Sequence, residues 1–243
     1  MDQMDQKPDI KGNAAAIKGR LSEALMRLAD PSREVKLIVV SKTFPVTSIV
    51  EAFDAGLFRF GENRVQEIVP KFEKLKDKKI EWHFIGHLQT NKVKKLLDVP
   101  TKYIQSVDRL EVAQELERQL QKRGESREIL VEVNTSGEAS KNGIEPEKAI
   151  ELVRSIAMFD TVKVKGLMTI GALTEERNIV RSCFMRLRDL FSQIRSESID
   201  KVEMLELSMG MSGDFEIAVE EGATMIRIGS AIFGERAKPK SNV

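Results

Sequence analysis

The chain has 243 residues, of which 41% are hydrophobic, and its 39 basic and 38 acidic residues give a formal net charge of +1. This length suffices for one α/β barrel with a large core, and the balanced charge argues against duplex nucleic acid as a partner. Because Cys183 is the sole cysteine, the chain has no internal disulfide. The N-terminus is polar and no apolar run approaches 20 residues, so we expect a soluble cytoplasmic protein.

The first predicted element is a helix over residues 10–29, whose apolar residues recur at helical spacing and stop before Asp30 and Pro31. After this helix, short apolar runs alternate with longer amphipathic segments. The predicted strands cover 35–41, 58–61, 81–85, 102–107, 128–134, 162–169, 202–208 and 224–228. The predicted helices between them cover 46–55, 63–76, 90–97, 108–123, 146–159, 174–195 and 213–221.

Strict alternation of strands and helices predicts a parallel sheet, and eight such units are typical of a (β/α)8 TIM barrel. The alternative is an open, doubly wound sheet. The first strand is followed by a lysine and not by the G-x-G-x-x-G turn that would favour that alternative. Because no Gly-, Ser- or Pro-rich linker divides the chain, we expect a single domain over residues 1–243, with the N-terminal helix as an addition to the barrel.

The stretch "LIVVSKTF", residues 37–44, runs from the predicted first strand directly into Lys42. Active sites of such barrels lie at the carboxyl ends of the strands, which is where Lys42 falls. A partly desolvated lysine has a lowered pKa, and its neutral amine can form a Schiff base with an aldehyde. An ordinary surface lysine in a turn is the competing interpretation.

Two turns rich in small residues follow the predicted seventh and eighth strands, in "LELSMGMSGD" and "IRIGSAIFG". Barrels often hold a phosphate there, and Ser208, Gly229 and Ser230 supply hydroxyls and a close backbone approach. A phosphate anchor together with a Schiff-base lysine predicts pyridoxal phosphate (PLP), which carries both a phosphate and an aldehyde.

Arg227 lies between Ile226 and Ile228, and alternation places its side chain inside the barrel. A buried arginine needs an acceptor. The pyridine nitrogen of PLP is one candidate, and a buried ion pair with Glu62 or Glu206 is the other.

The chain resembles the YggS/PROSC family of pyridoxal phosphate homeostasis proteins over about residues 10–236. The resemblance implies a barrel like the N-terminal domain of alanine racemase, with the internal aldimine on Lys42. It also implies that Ser208, Gly229 and Ser230 hold the phosphate, that Arg227 faces the pyridine nitrogen and that Asn63 lies near the cofactor. Phe44 replaces a lysine that is common in the family. The motifs that carry the resemblance are "VVSKTFP", "AGLFRFGENRVQE", "WHFIGHLQTNK", "SVDRLEVAQEL", "VEVNTSGEASKNG", "KGLMTI" and "LSMGMSGDFEIAVEEGATMIRIGSAIFGER".

The predicted function is to store, buffer or hand over PLP in vitamin B6 homeostasis, without robust turnover. The alternative is a weak PLP-dependent amino-acid racemase, and a third possibility is a regulator that senses the cofactor. Racemisation needs a base on each face of the substrate, but the only tyrosine, Tyr103, falls at the start of the fourth strand, and the chain ends soon after the barrel. Expected partners are PLP and either PLP-dependent apo-enzymes or small amino acids. We expect no nucleic acid or membrane partner, and a monomer is plausible.

Several other residues have simpler interpretations. His83 and His87 lack further ligands nearby, so no metal site is predicted, although His87 is placed to line the barrel mouth. Cys183 lies on an apolar helical stripe and is predicted to be a core residue. Lys141 competes with Lys42 for the aldehyde but lies in a glycine-containing loop, where its amine is expected to be solvated. The basic cluster of Lys92, Lys94 and Lys95 is interpreted as a solvated helix face.

Overall fold

The computed structural model describes residues 8–235 and shows a closed barrel of eight parallel strands in the order of the sequence. The prediction of a TIM barrel is therefore confirmed. The ends of the predicted domain, residues 1–7 and 236–243, lie outside the described residues. The strands are β1 (Lys36–Val40), β2 (Arg59–Glu62), β3 (Glu81–Phe84), β4 (Tyr103–Val107), β5 (Arg127–Glu132), β6 (Val162–Met168), β7 (Glu206–Ser208) and β8 (Met225–Ile228).

Helices follow each strand on the outside of the barrel, as the alternation predicted for the first seven strands. The described helices are α1 (Ile10–Met26), α2 (Val46–Asp54), α3 (Val65–Leu75), α4 (Thr90–Leu96), α5 (Leu110–Arg123), α6 (Pro146–Ala157), α7 (Arg177–Ser196), α8 (Phe215–Glu220) and the single turn α9 (Ser230–Phe233). Predicted and observed bounds differ mostly by one to three residues. The largest difference is at β7, which begins at Glu206, four residues later than predicted. Within residues 8–235, no helix is long and apolar enough to span a bilayer.

Side-chain alternation along the strands divides the core into two parts. The larger part lies between the sheet and the helices and contains Val39, Ile226 and Ile228 from β1 and β8. The smaller part fills the barrel interior and consists of Ile38, Tyr103, Leu130, Met168 and Met225. Cys183 of α7 is only 5% exposed, which confirms its prediction as a core residue. The even-numbered side chains of β1 and the odd-numbered ones of β8 therefore point inwards.

The barrel closes where β1 pairs in parallel with β8, with Ile38 opposite Arg227 and Val39 opposite Ile228. The N-terminal helix α1 packs over this seam. The amide of Asn13 donates to the carbonyl of Ile232 at 3.0 Å, and Arg20 donates to Glu216 at 2.8 Å. The additional helix predicted at the N-terminus thus has a structural role, because it joins α2 on one side of the seam to α8 and α9 on the other.

Candidate functional site

The exits of β1 and β8 lie side by side at one end of the barrel. Two residues before Lys42, the backbone oxygen of Val40 would be 3.3 Å from a Cβ at Gly229, so a larger residue would require β1 to shift by a few tenths of an ångström. Beyond Lys42, Phe44 stacks on Phe233 of α9 with ring centroids 4.7 Å apart. The structure therefore brings the half-buried Lys42 to the same mouth as the turn at Gly229 and Ser230.

Backbone donors converge in the turn between β8 and α9. The amides of Gly229 and Ala231 both point at the hydroxyl of Ser212, each at 3.4 Å. Ser212 is held by the turn after β7, in which the amide of Met211 donates to Asp214 at 2.5 Å. Two amides and a hydroxyl around one point provide the donors that an anionic oxygen requires. Ser212 was not predicted, although its "MSG" context is the kind of turn that supplies such a group.

Arg227 is buried inside the barrel, as predicted. One guanidinium nitrogen donates to the hydroxyl of Ser208 and the other to the carbonyl of Thr169, both at 2.7 Å. Burial lowers the pKa of Arg227 to about 10, although the negative charges of Glu132 and Asp214 act to raise it. Arg227 forms no ion pair with Glu62 or Glu206, which were the alternative acceptors. The reason is that Glu62 is bound to Lys71, and Glu206 is bound to Lys36 and Tyr103.

Ser208, which was also predicted to hold a phosphate, makes its hydrogen bonds inside the barrel. Its side chain is fully buried, donates to the amide oxygen of Gln105 at 2.7 Å and accepts from Arg227. As the last residue of β7 it points into the barrel, whereas Gly229 and Ser230 lie beyond the end of β8. Its contacts therefore orient the guanidinium of Arg227.

Asn63, the last sequence-predicted site residue, follows β2 at the same mouth. Its side-chain oxygen is buried and has no hydrogen-bond partner. The backbone of Asn63 is packed so closely against Gly86 that a Cβ there would lie 2.0 Å from the Asn63 carbonyl oxygen. A buried acceptor without a partner is costly unless a ligand supplies a donor, so Asn63 fits a bound group that carries one.

Next to Asn63, a cavity of about 420 Å³ is lined by His87, Gln89 and Lys92 among other residues. His87 thus lines the mouth, as predicted. Lys94 and Lys95 are exposed, which confirms the prediction of a solvated helix face for those two lysines but not for Lys92.

Lys141 was expected to be solvated, but its side chain is only 17% exposed. The reason is that its ammonium group donates to Glu138 at 2.5 Å and to the carbonyl of Gly171 at 2.8 Å.

Glu132 at the end of β5 is a buried carboxyl that the sequence analysis did not identify. It is 4% exposed. Burial and the nearby charge of Asp108 raise its pKa to about 7, against the attraction of Arg227. The folded protein therefore holds this proton more tightly than the unfolded chain does. As a result, the stabilising effect of the neutral carboxyl is present below about pH 4.5 and is lost as the pH rises through about 7.

We expect Glu132→Gln, which mimics the neutral carboxyl, to be less sensitive to pH than the wild type. Its advantage in free energy of unfolding over the wild type is expected to grow by on the order of 3 kcal/mol between pH 5 and pH 8. Urea unfolding of both proteins at these two pH values measures the difference. The exposed Glu145→Gln is the control, and a Glu132→Gln advantage that does not change with pH contradicts the prediction.

Comparison with known proteins identifies the class first. The sequence model of the protein family described as the alanine racemase N-terminal domain matches residues 13–237. The fold agrees, because the alanine racemase of Clostridium difficile superposes with a TM-score of 0.72 over 98% of this chain and 61% of its own, at 12% identity. The protein is therefore a barrel of the alanine racemase N-terminal domain class.

Within this class, closer relatives define the family. The pyridoxal phosphate homeostasis protein of Aquifex aeolicus is 45% identical over 89% of this chain and 94% of its own length. The human protein of the same name is 39% identical over 91% of this chain and 84% of its own. The structure of PipY from Synechococcus elongatus with PLP bound matches with a TM-score of 0.81 and 32% identity, over 93% of this chain and all of that one. The chain belongs to the family of pyridoxal phosphate homeostasis proteins, which confirms the resemblance.

Proposed function

We propose that the protein binds PLP covalently and reversibly on Lys42 and serves intracellular PLP homeostasis. In this role it stores the cofactor and hands it over to PLP-dependent apo-enzymes, without robust catalytic turnover. The names of the relatives and the PLP bound to PipY support this proposal. The buried, unpaired thiol of Cys183 is compatible with the reducing cytoplasm, where we place this function.

The observation that carries the proposal is the position of Lys42 and of the Gly229–Ser230 turn at one mouth, across the β1–β8 seam. PLP supplies an aldehyde that condenses reversibly with an amine, and a phosphate that anchors it. The unpartnered oxygen of Asn63 and the guanidinium of Arg227 complete a site that fits this cofactor.

We assign the roles as follows. Gly229, Ser230 and Ser212 hold the phosphate, since the amides of Gly229 and Ala231 already point at the Ser212 hydroxyl. Arg227 faces the pyridine nitrogen, and Ser208 orients Arg227 by accepting its hydrogen bond. Because arginine keeps its proton, a nitrogen facing it stays unprotonated. The cofactor ring is then a weak electron sink, which fits a carrier better than a catalyst.

The racemase alternative receives no support from Tyr103. This residue begins β4 at the end of the barrel away from Lys42, and its hydroxyl donates to Glu206 at 3.2 Å. Burial, together with the charge of Glu206, raises its pKa far above the ordinary value. A tyrosine so placed is a poor second base.

Loading and isotope exchange test the proposed function together. Purified protein is mixed with PLP, desalted and incubated with L- and D-alanine in deuterated water. We expect a stoichiometric amount of PLP to be retained, without sustained exchange of the α-proton. Exchange on the order of 1 s⁻¹ or faster is an enzyme-like rate and contradicts the carrier role, and loss of all PLP on desalting contradicts binding itself.

A further inference from the structure

Side chains from β2 and α3 hold the backbone on both sides of Lys42. Before it, the fully buried Ser41 donates its hydroxyl to Glu62 at 2.6 Å, and its carbonyl accepts from the ammonium of Lys71 at 2.9 Å. After it, the amide of Thr43 donates to Glu67 at 2.7 Å. The two peptide units that flank Lys42 are thus each fixed by a charged side chain.

Lys71 joins these contacts into one network. It is only 8% exposed, and its three N–H donors meet three acceptors: the carbonyl of Ser41, Glu62 at 2.6 Å and Glu67 at 3.3 Å. Glu67 and Lys71 are one helical turn apart on α3, so the helix presents both to the Lys42 turn. A buried ammonium with all donors used is rigid, and this rigidity extends to the peptides that it contacts.

The network also holds an unfavourable backbone conformation. Thr43 has a φ of +70°, in the left-handed region that a β-branched residue rarely adopts. Such a conformation is strained and persists only where surrounding contacts over-determine it. The hydrogen bond from the Thr43 amide to Glu67 is such a contact.

We propose that Glu62, Glu67 and Lys71 are positioning residues that hold the Lys42 turn in the conformation needed for covalent capture of PLP. This inference rests on the proposed function. These three side chains reach Lys42 through its neighbours in the backbone, so they act on the geometry of the amine. Removing Glu67 takes away the acceptor for the Thr43 amide, which is one of the contacts that hold this strained turn.

Glu67→Ala tests the inference because it removes the acceptor for Thr43. We expect the rate at which the covalent PLP absorbance band appears to fall by about 10-fold to 100-fold. Glu67→Gln keeps an acceptor and is expected to retain most of the rate, whereas Lys71→Met is expected to lose it as Glu67→Ala does. Glu73→Ala and Lys74→Met change exposed residues of the same helix and serve as matched controls. Circular dichroism at the assay temperature confirms that each variant is folded.

Binding of pyridoxine 5′-phosphate separates positioning from general damage. This analogue has the phosphate and the ring but an alcohol in place of the aldehyde, so it cannot bond to Lys42. We expect Glu67→Ala to bind it with wild-type affinity. Equal loss of analogue affinity and of capture rate would show a merely structural role, and an unchanged capture rate in Glu67→Ala would overturn the inference. A wild type that retains no PLP would instead refute the proposed function.

Discussion

Lys42→Ala is expected to abolish the absorbance band of covalently bound PLP and the label that borohydride fixes to the wild-type chain. Removing the amine leaves the phosphate turn at Gly229 intact, so weak noncovalent binding should remain. We expect the affinity for PLP to fall by at least about 100-fold, which corresponds to about 2.7 kcal/mol. Spectroscopic titration measures this loss, and mass spectrometry of the reduced peptides locates the label.

The control is Lys94→Ala, since Lys94 is exposed on α4 and should leave the band unchanged. A reducible label that persists in Lys42→Ala, for example on Lys141, would remove Lys42 from its proposed role. The same result would leave the barrel and the family assignment untouched, because these rest on topology and similarity.

Arg227→Met is expected to be the most destabilising single change at the site. The guanidinium satisfies the hydroxyl of Ser208 and the carbonyl of Thr169 inside the barrel. Without it, these buried groups lose partners and Glu132 loses the charge that favours its ionised form. We expect a loss of about 3 kcal/mol in the free energy of unfolding, measured by urea denaturation without cofactor.

Arg227→Lys keeps the charge but not the forked geometry, so its loss should be smaller than that of Arg227→Met. Arg154→Met removes an exposed arginine paired with Glu197 and should cost less than about 1 kcal/mol. If Arg227→Met and Arg154→Met have the same stability, the buried contacts of Arg227 do not contribute as the structure indicates.

Much of this architecture could be predicted because it depends on local pattern. Strand–helix alternation predicted the barrel, and the positions of Lys42 and Arg227 relative to their strands predicted the mouth and the interior. For Ser208, strand alternation and the turn motif gave different predictions. Since it shares a strand face with Glu206, alternation alone places it inside, but the turn motif around it favoured the phosphate.

The parts that could not be predicted depend on contacts between distant segments. Glu67 and Lys71 have helical spacing, which indicates a pair on α3 but not that the pair reaches Ser41 and Thr43. Phe44 appeared only as a departure from the family pattern, and its stacking on Phe233 required the seam to be closed. Such contacts depend on the angles between elements, which sequence periodicity does not specify.

The pairing of Lys36 with Met225 has a consequence for how the protein is made. During synthesis, β1 leaves the ribosome long before its partner β8 exists, so its edge remains open while most of the chain is translated. Contacts this distant in sequence also slow folding. The lysine and the anchoring turn can therefore meet only after β8 has been synthesised, and nascent chains that stop short of β8 are expected to be targets for chaperones.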